Sequence, residues 1–174
     1  MRLHSRALFL VALVTTIAAS SASAQRRTEA FAQGKDMLLG PQVGVGTSDF
    51  DFFIGAQFAY PIVNRLDIYP SFQYYFPGNN AHAWTIDGTV RYWPKLNIRN
   101  SGLYAGGGLN ITHSSASATI PGIGKVSASS TDAGLSLLGG WQFRASNLFP
   151  YGQIRVVIGD ADRVDFGGGV NFKL

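Results

Sequence analysis

The sequence has no cysteine. That excludes a disulfide framework, so an exported form of the chain must be held by burial and hydrogen bonding. It also excludes lipid attachment through a cysteine beside a cleavage site. Charge is scarce too. Asp, Glu, Lys and Arg make up 14% of the 174 residues, against roughly 25% in ordinary soluble domains. The formal net charge of +4 is too small an excess to imply a nucleic-acid partner. No cluster has metal-ligand spacing, and Gly44-Val-Gly46 lacks the third glycine and the following helix of a nucleotide-binding loop. No cofactor is expected. Beyond the first two dozen residues there is no apolar run long enough to cross a bilayer as a helix.

What is present starts with a targeting pattern. Arg2 and Arg6 precede the apolar run Ala7–Ala19, and Ala22-Ser23-Ala24 has the small-residue form of a cleavage site. Residues 1–24 are expected to be a signal peptide, residues 25–36 a polar lead-in, and residues 37–174 a single domain.

From Met37 the hydropathy alternates at period two, the signature of strands with one apolar and one polar face. Eight strands are predicted, at 37–47, 51–62, 66–76, 82–93, 102–113, 131–143, 150–158 and 163–174. In the last of these Val164, Phe166, Val170, Phe172 and Leu174 share one face, while Arg163, Asp165, Asn171 and Lys173 share the other. The polar faces elsewhere carry Gln42, Gln57, Ser71, Gln73, Asp87, Arg91, Asn110, Gln142 and Gln153 among many glycines. The larger side chains are read as lying on the apolar faces. Apolar-out and polar-in excludes a lipocalin-like soluble barrel and predicts an eight-stranded, antiparallel, up-and-down transmembrane β-barrel, with a lumen just filled by side chains. Tyr60, Tyr92, Trp93, Phe143 and Phe149 at one membrane level, and Phe50, Phe52, Phe76 and Trp84 at the other, read as interfacial girdles. Between strands five and six, two Ser/Ala-rich arms flank Pro121-Gly-Ile-Gly124. They read as a hairpin continuing beyond the membrane, the alternative being an unstructured loop.

The targeting pattern, the eight alternating strands and the terminal Val170-Asn-Phe-Lys-Leu174 resemble the small bacterial outer-membrane β-barrel proteins of the OmpA/OmpX type. The resemblance covers nearly all of residues 37–174. It implies an outer-membrane location, contact with membrane lipid and lipopolysaccharide, and handling by the barrel-assembly machinery. In that family the machinery reads the last strand, here through Val170, Phe172 and Leu174. The family commonly ends in phenylalanine where this chain has Leu174. No peptidoglycan-binding domain is expected after the barrel, so the resemblance implies no anchoring role.

Six charged residues are expected to form a lumen network: Asp67, Asp87, Arg91, Arg144, Arg155 and Asp165. Counting back from the turns places Asp67 opposite Arg91, Arg91 near Tyr104, and Arg155 opposite Asp165. Opposite charges across strands attract, so a plugged lumen is expected, with a narrow pore as the alternative. The triplets Gly106–Gly108 and Gly167–Gly169 read as thin places where bulky neighbours such as Tyr151 pack. A structural or surface-interaction role is expected, not an enzymatic one. The exception weighed is His113 with Ser115 and Asp132, because a His-x-Ser spacing is similar to that of barrels that deacylate lipid A. Ala116 stands where that family has asparagine, and no glutamate follows Glu29.

Overall fold

The computed structural model describes residues 36–47, 52–77, 81–95, 101–120, 124–160 and 162–174. The signal peptide, most of the lead-in, Phe50 and the tip of the Ser/Ala hairpin lie outside the described residues. Eight strands follow one another: β1 (Leu38–Gly46), β2 (Phe52–Val63), β3 (Leu66–Phe76), β4 (Ala81–Tyr92), β5 (Ser101–Ile120), β6 (Gly124–Phe143), β7 (Leu148–Gly159) and β8 (Arg163–Lys173). Each pairs antiparallel with the next, and β8 returns to β1, closing the sheet. Closure leaves no edge within the barrel wall.

The local causes are visible. β-branched and aromatic residues alternate with small or polar ones, which suits a pleated surface with two different faces. Asn64-Arg65 makes the two-residue turn between β2 and β3, with Arg65 at φ 71°. Ser146, at φ 61°, does the same before β7, where Ala145 and Leu148 exchange backbone hydrogen bonds. That tight turn is why β7 begins at Leu148 and not at the expected residue 150.

β5 and β6 are each 20 residues long and pair without a slip from Ser101↔Phe143 to Ile120↔Gly124. The expected ends, 113 and 131, fall well short. β4 reaches only as far as Ala116 on one side, and β7 only Gly134 on the other. The two strands therefore rise past the rim as a ladder, so of the two readings of this segment the hairpin is the one observed. The rim beneath it is called the hairpin end. The other rim, where Asp36 bonds Lys173 at 2.7 Å and the Leu174 amide bonds the Met37 carbonyl, is the termini end.

The outward face is the apolar one. Leu39, Val43, Ile54, Phe72, Ile86, Leu109, Leu137, Ile154 and Phe166 are all exposed. Two expectations about side chains fail. Large residues also point inward: Phe53, Tyr69, Tyr75, Trp93, Tyr104, Phe149 and Tyr151 are buried. Trp93 and Phe149 are thus interior groups and not girdle residues. Their space is made by glycine. A Cβ on Gly140 would stand 2.5 Å from the Tyr104 ring, one on Gly44 2.4 Å from the Phe53 ring, and one on Gly169 2.8 Å from the Tyr151 hydroxyl. Of the two glycine triplets, Gly167 and Gly169 lie beside the Phe53 ring and the Tyr151 hydroxyl as expected, whereas Gly106–Gly108 meets Arg91, Leu137 and neighbouring backbone and no ring.

This pairing of ring with glycine generates a test. Gly140→Ala is expected to destabilise the barrel by about 1–3 kcal/mol through overpacking. Gly152→Ala, where an added Cβ meets nothing within 4 Å, is expected to be near neutral. Urea unfolding followed by heat-dependent gel mobility reads both, and equal midpoints for the two variants would contradict the packing argument.

Candidate functional site in the barrel interior

Alternation along each strand brings six charged residues into the lumen: Asp67, Asp87, Arg91, Arg155, Arg163 and Asp165, all buried. Three are acidic and three basic, and they sort into three ion pairs. At the termini end Arg91 forks onto Asp67, Nε to Oδ1 and Nη2 to Oδ2, both at 2.8 Å. The Trp93 indole N–H donates to the same carboxylate at 3.0 Å. The guanidinium is also stacked, 3.6 Å from the Tyr69 ring centre and 4.8 Å from that of Tyr104. Arginine suits this position because its planar fork satisfies a carboxylate while its face rests on aromatic rings.

At mid-barrel Arg155 Nη1 lies 3.0 Å from Asp87 Oδ2, and Arg155 Nη2 donates to Ser71 at 3.1 Å. Asn110 donates to Asp87 at 2.9 Å and accepts from Thr112 at 2.8 Å. Towards the hairpin end Arg163 Nε lies 3.0 Å from Asp165, which also accepts from the Tyr75 hydroxyl at 2.9 Å. Arg163 Nη1 reaches Thr112 at 3.5 Å. The middle and upper pairs are therefore joined through Thr112 and Asn110. Amides fill the remaining levels: Gln57 donates to Asn171 at 2.9 Å, and Asn171 to Gln142 at 3.3 Å. Gln73 donates to Ser71 at 2.9 Å and accepts from Thr85.

The structure places the expected residues unevenly. Asp67 is opposite Arg91, and Tyr104 lies beside Arg91, as the turn counts predicted. Arg155 is opposite Asp165 in register, yet its ion pair is with Asp87 on β4. The guanidinium extends across the lumen, and Asp165 is held by Arg163 two residues along its own strand. Arg144 stands apart from the network, its guanidinium 5.9 Å from the Phe149 ring. Arg163 was absent from the expected set. Its signal was parity, since it shares a face with Asp165. Val170 and Phe172 are on the outward face of β8, with Phe172 opposite Leu39, and Leu174 follows the strand and is exposed.

The His113–Ser115–Asp132 grouping does not assemble. Asp132 is opposite Thr112 on the lumen side and accepts from Ser130. His113 points outward, where its Nδ1 meets Thr131 Oγ1 at 2.8 Å. Ser115 bonds His82 Nε2 at 2.6 Å instead. One residue of offset in a strand reverses the face, and that separates the carboxylate from the histidine.

Among solved structures the barrel is similar to the N-terminal β-barrel domain of Pseudomonas aeruginosa OprF, with 14% identity, a TM-score of 0.62, and coverage of 82% of this chain and 100% of that one. It is similar to Neisserial surface protein A, at 15% identity and TM-score 0.59, covering 79% of this chain and 96% of that one. It is also similar to Ail of Yersinia pestis, at 14% identity and TM-score 0.57, covering 80% and 97%. No protein-family model and no curated protein matches the chain. At these identities the likeness establishes the fold, a closed eight-stranded barrel of the transmembrane kind.

Breaking one lumen pair is expected to cost more than deleting it. Asp67→Ala leaves Arg91 buried without its counter-charge and is expected to destabilise by about 3–5 kcal/mol. Asp67→Leu combined with Arg91→Met is expected to recover most of that loss. Urea midpoints of the refolded barrels measure both, and a double variant as weak as the single one would show that the pair's charge is not the cause.

Proposed function

We propose that this protein is an integral outer-membrane barrel with a closed, charge-neutral lumen, and that it acts through its lipid-facing wall and its projecting hairpin. One observation carries the reading: three arginines and three aspartates pair inside the barrel, with rings and amides filling the levels between them. An eight-stranded barrel has room for side chains but little more. The exposed apolar belt supports a bilayer as its surroundings.

The termini end is assigned to the periplasm and the hairpin end to the cell exterior. Residues 1–24 act as the export signal and are removed. The belt contacts outer-membrane lipid and lipopolysaccharide, and the outward Val170 and Phe172 on the closing strand, with Leu174 after it, engage the barrel-assembly machinery during insertion.

The hairpin is the surface-interaction element. A solved complex of Ail contains the heparin analogue sucrose octasulfate. Here residues 114–133 contain a single lysine, Lys125, and a single aspartate, Asp132. The ladder lacks the basic patch that a polyanion would need, which favours a neutral partner met through Ser/Thr hydroxyls and backbone groups.

The lumen reading is tested by planar-bilayer conductance of the purified full chain. No steady channel is expected from the wild-type protein. A steady open conductance would replace the plug with a narrow pore.

A further inference from the structure

The outward surface of β4, β5 and β6 changes chemistry within two residues of the apolar belt. Ile86, Ile111 and Ala133 form its last apolar row. The next outward row is Trp84, His113 and Thr131, and the one above it His82, Ser115 and Ser129. Each imidazole is braced by one ring and one hydroxyl. His113 stacks on Trp84 at 5.3 Å and bonds Thr131 through Nδ1. His82 stacks on Tyr74 at 6.5 Å with the planes 10° apart, and bonds Ser115 through Nε2. Those two bonds leave Nε2 of His113 and Nδ1 of His82 available to a ligand.

Few other charges act here. Tyr74 and Phe76 are the outward neighbours on β3. Asp132, beside Thr131, is on the lumen face. Asp160 follows Gly159, the last residue of β7, which pairs with Gly134. Lys125, paired with Thr119, holds the same parity two rows above Ser129; among the described residues no other Lys or Arg stands near this outward patch.

We propose that this His82–His113 platform is a seat for the phosphate of an anionic lipid headgroup. The site rests on the reading that the belt lies in a bilayer. Position argues for a lipid: the platform stands on the belt itself, beside Trp84 and Tyr74, where interfacial aromatics mark the headgroup level. Chemistry argues for phosphate, which takes N–H and O–H donors together, and these rows supply two imidazoles with Ser115, Ser129 and Thr131.

The test is native mass spectrometry of the folded full chain in detergent, with phosphatidylglycerol as the probe. A hydrogen bond to a charged group changes binding by about tenfold. His82→Phe with His113→Phe, which keeps each ring and removes its N–H, is therefore expected to lower phosphatidylglycerol retention by about tenfold while keeping the heat-dependent gel shift. Retention unchanged in the double variant overturns the seat. So does equal retention of phosphatidylcholine, which marks girdle contact only, or full competition by millimolar inorganic phosphate, which marks a free-phosphate site. If the wild-type protein lacks the gel shift, the barrel reading fails and the seat with it. If the shift is intact and the lipid signal unchanged in the double variant, only the seat fails.

Discussion

Eight strands closed on themselves leave an interior that side chains fill, so a charge placed inside must find its counter-charge inside. Much of this chain follows from that constraint. Arg91, Arg155 and Arg163 each lie within about one hydrogen-bond length of an aspartate, and Arg91 and Arg163 also rest on the Tyr69 and Tyr75 rings. Without cysteines to bridge the strands, the wall depends on its closed backbone ladder and the lumen on this neutral filling.

The wall and the filling are matched. Inward rings need depth, and the strands provide it by omitting side chains across from them: Gly140 beneath Tyr104, Gly44 beside Phe53, Gly169 by Tyr151. The high glycine content therefore belongs to the core as much as to the turns. Outside, the same strands present Val, Ile, Leu and Phe, which is stable only if the surroundings are apolar as well. The two faces differ in chemistry: one carries paired charges, amides and rings, the other an apolar belt that suits lipid.

The fold was legible because period two is a strong signal when it persists through eight segments, and because short turns such as Asn64-Arg65 leave little freedom of register. Asp67 and Arg91 could be paired by counting from a turn. Side chains that reach beyond their register neighbour could not. Arg155 is opposite Asp165 yet pairs across the lumen with Asp87, since a long flexible side chain chooses among all the groups in a narrow tube. Apart from Tyr104 and Tyr151, the interior rings were missed because hydropathy assigns tyrosine and tryptophan to the lipid face, although a hydroxyl or an indole N–H can satisfy a buried carboxylate, as Tyr75 and Trp93 do. The height of the hairpin was hidden by its Ser/Ala composition, which is compatible with either a ladder or a loop. For His113 the spacing to Ser115 was right, but the face of Asp132 was not.

The account stands on which charges are coupled within the lumen. Double-mutant cycles on urea stability measure that coupling, with Arg155→Met combined in turn with Asp87→Asn and with Asp165→Asn. The account predicts a coupling above about 1 kcal/mol for Arg155 with Asp87, and below about 0.5 kcal/mol for Arg155 with Asp165. Strong coupling to Asp165 and none to Asp87 would contradict it.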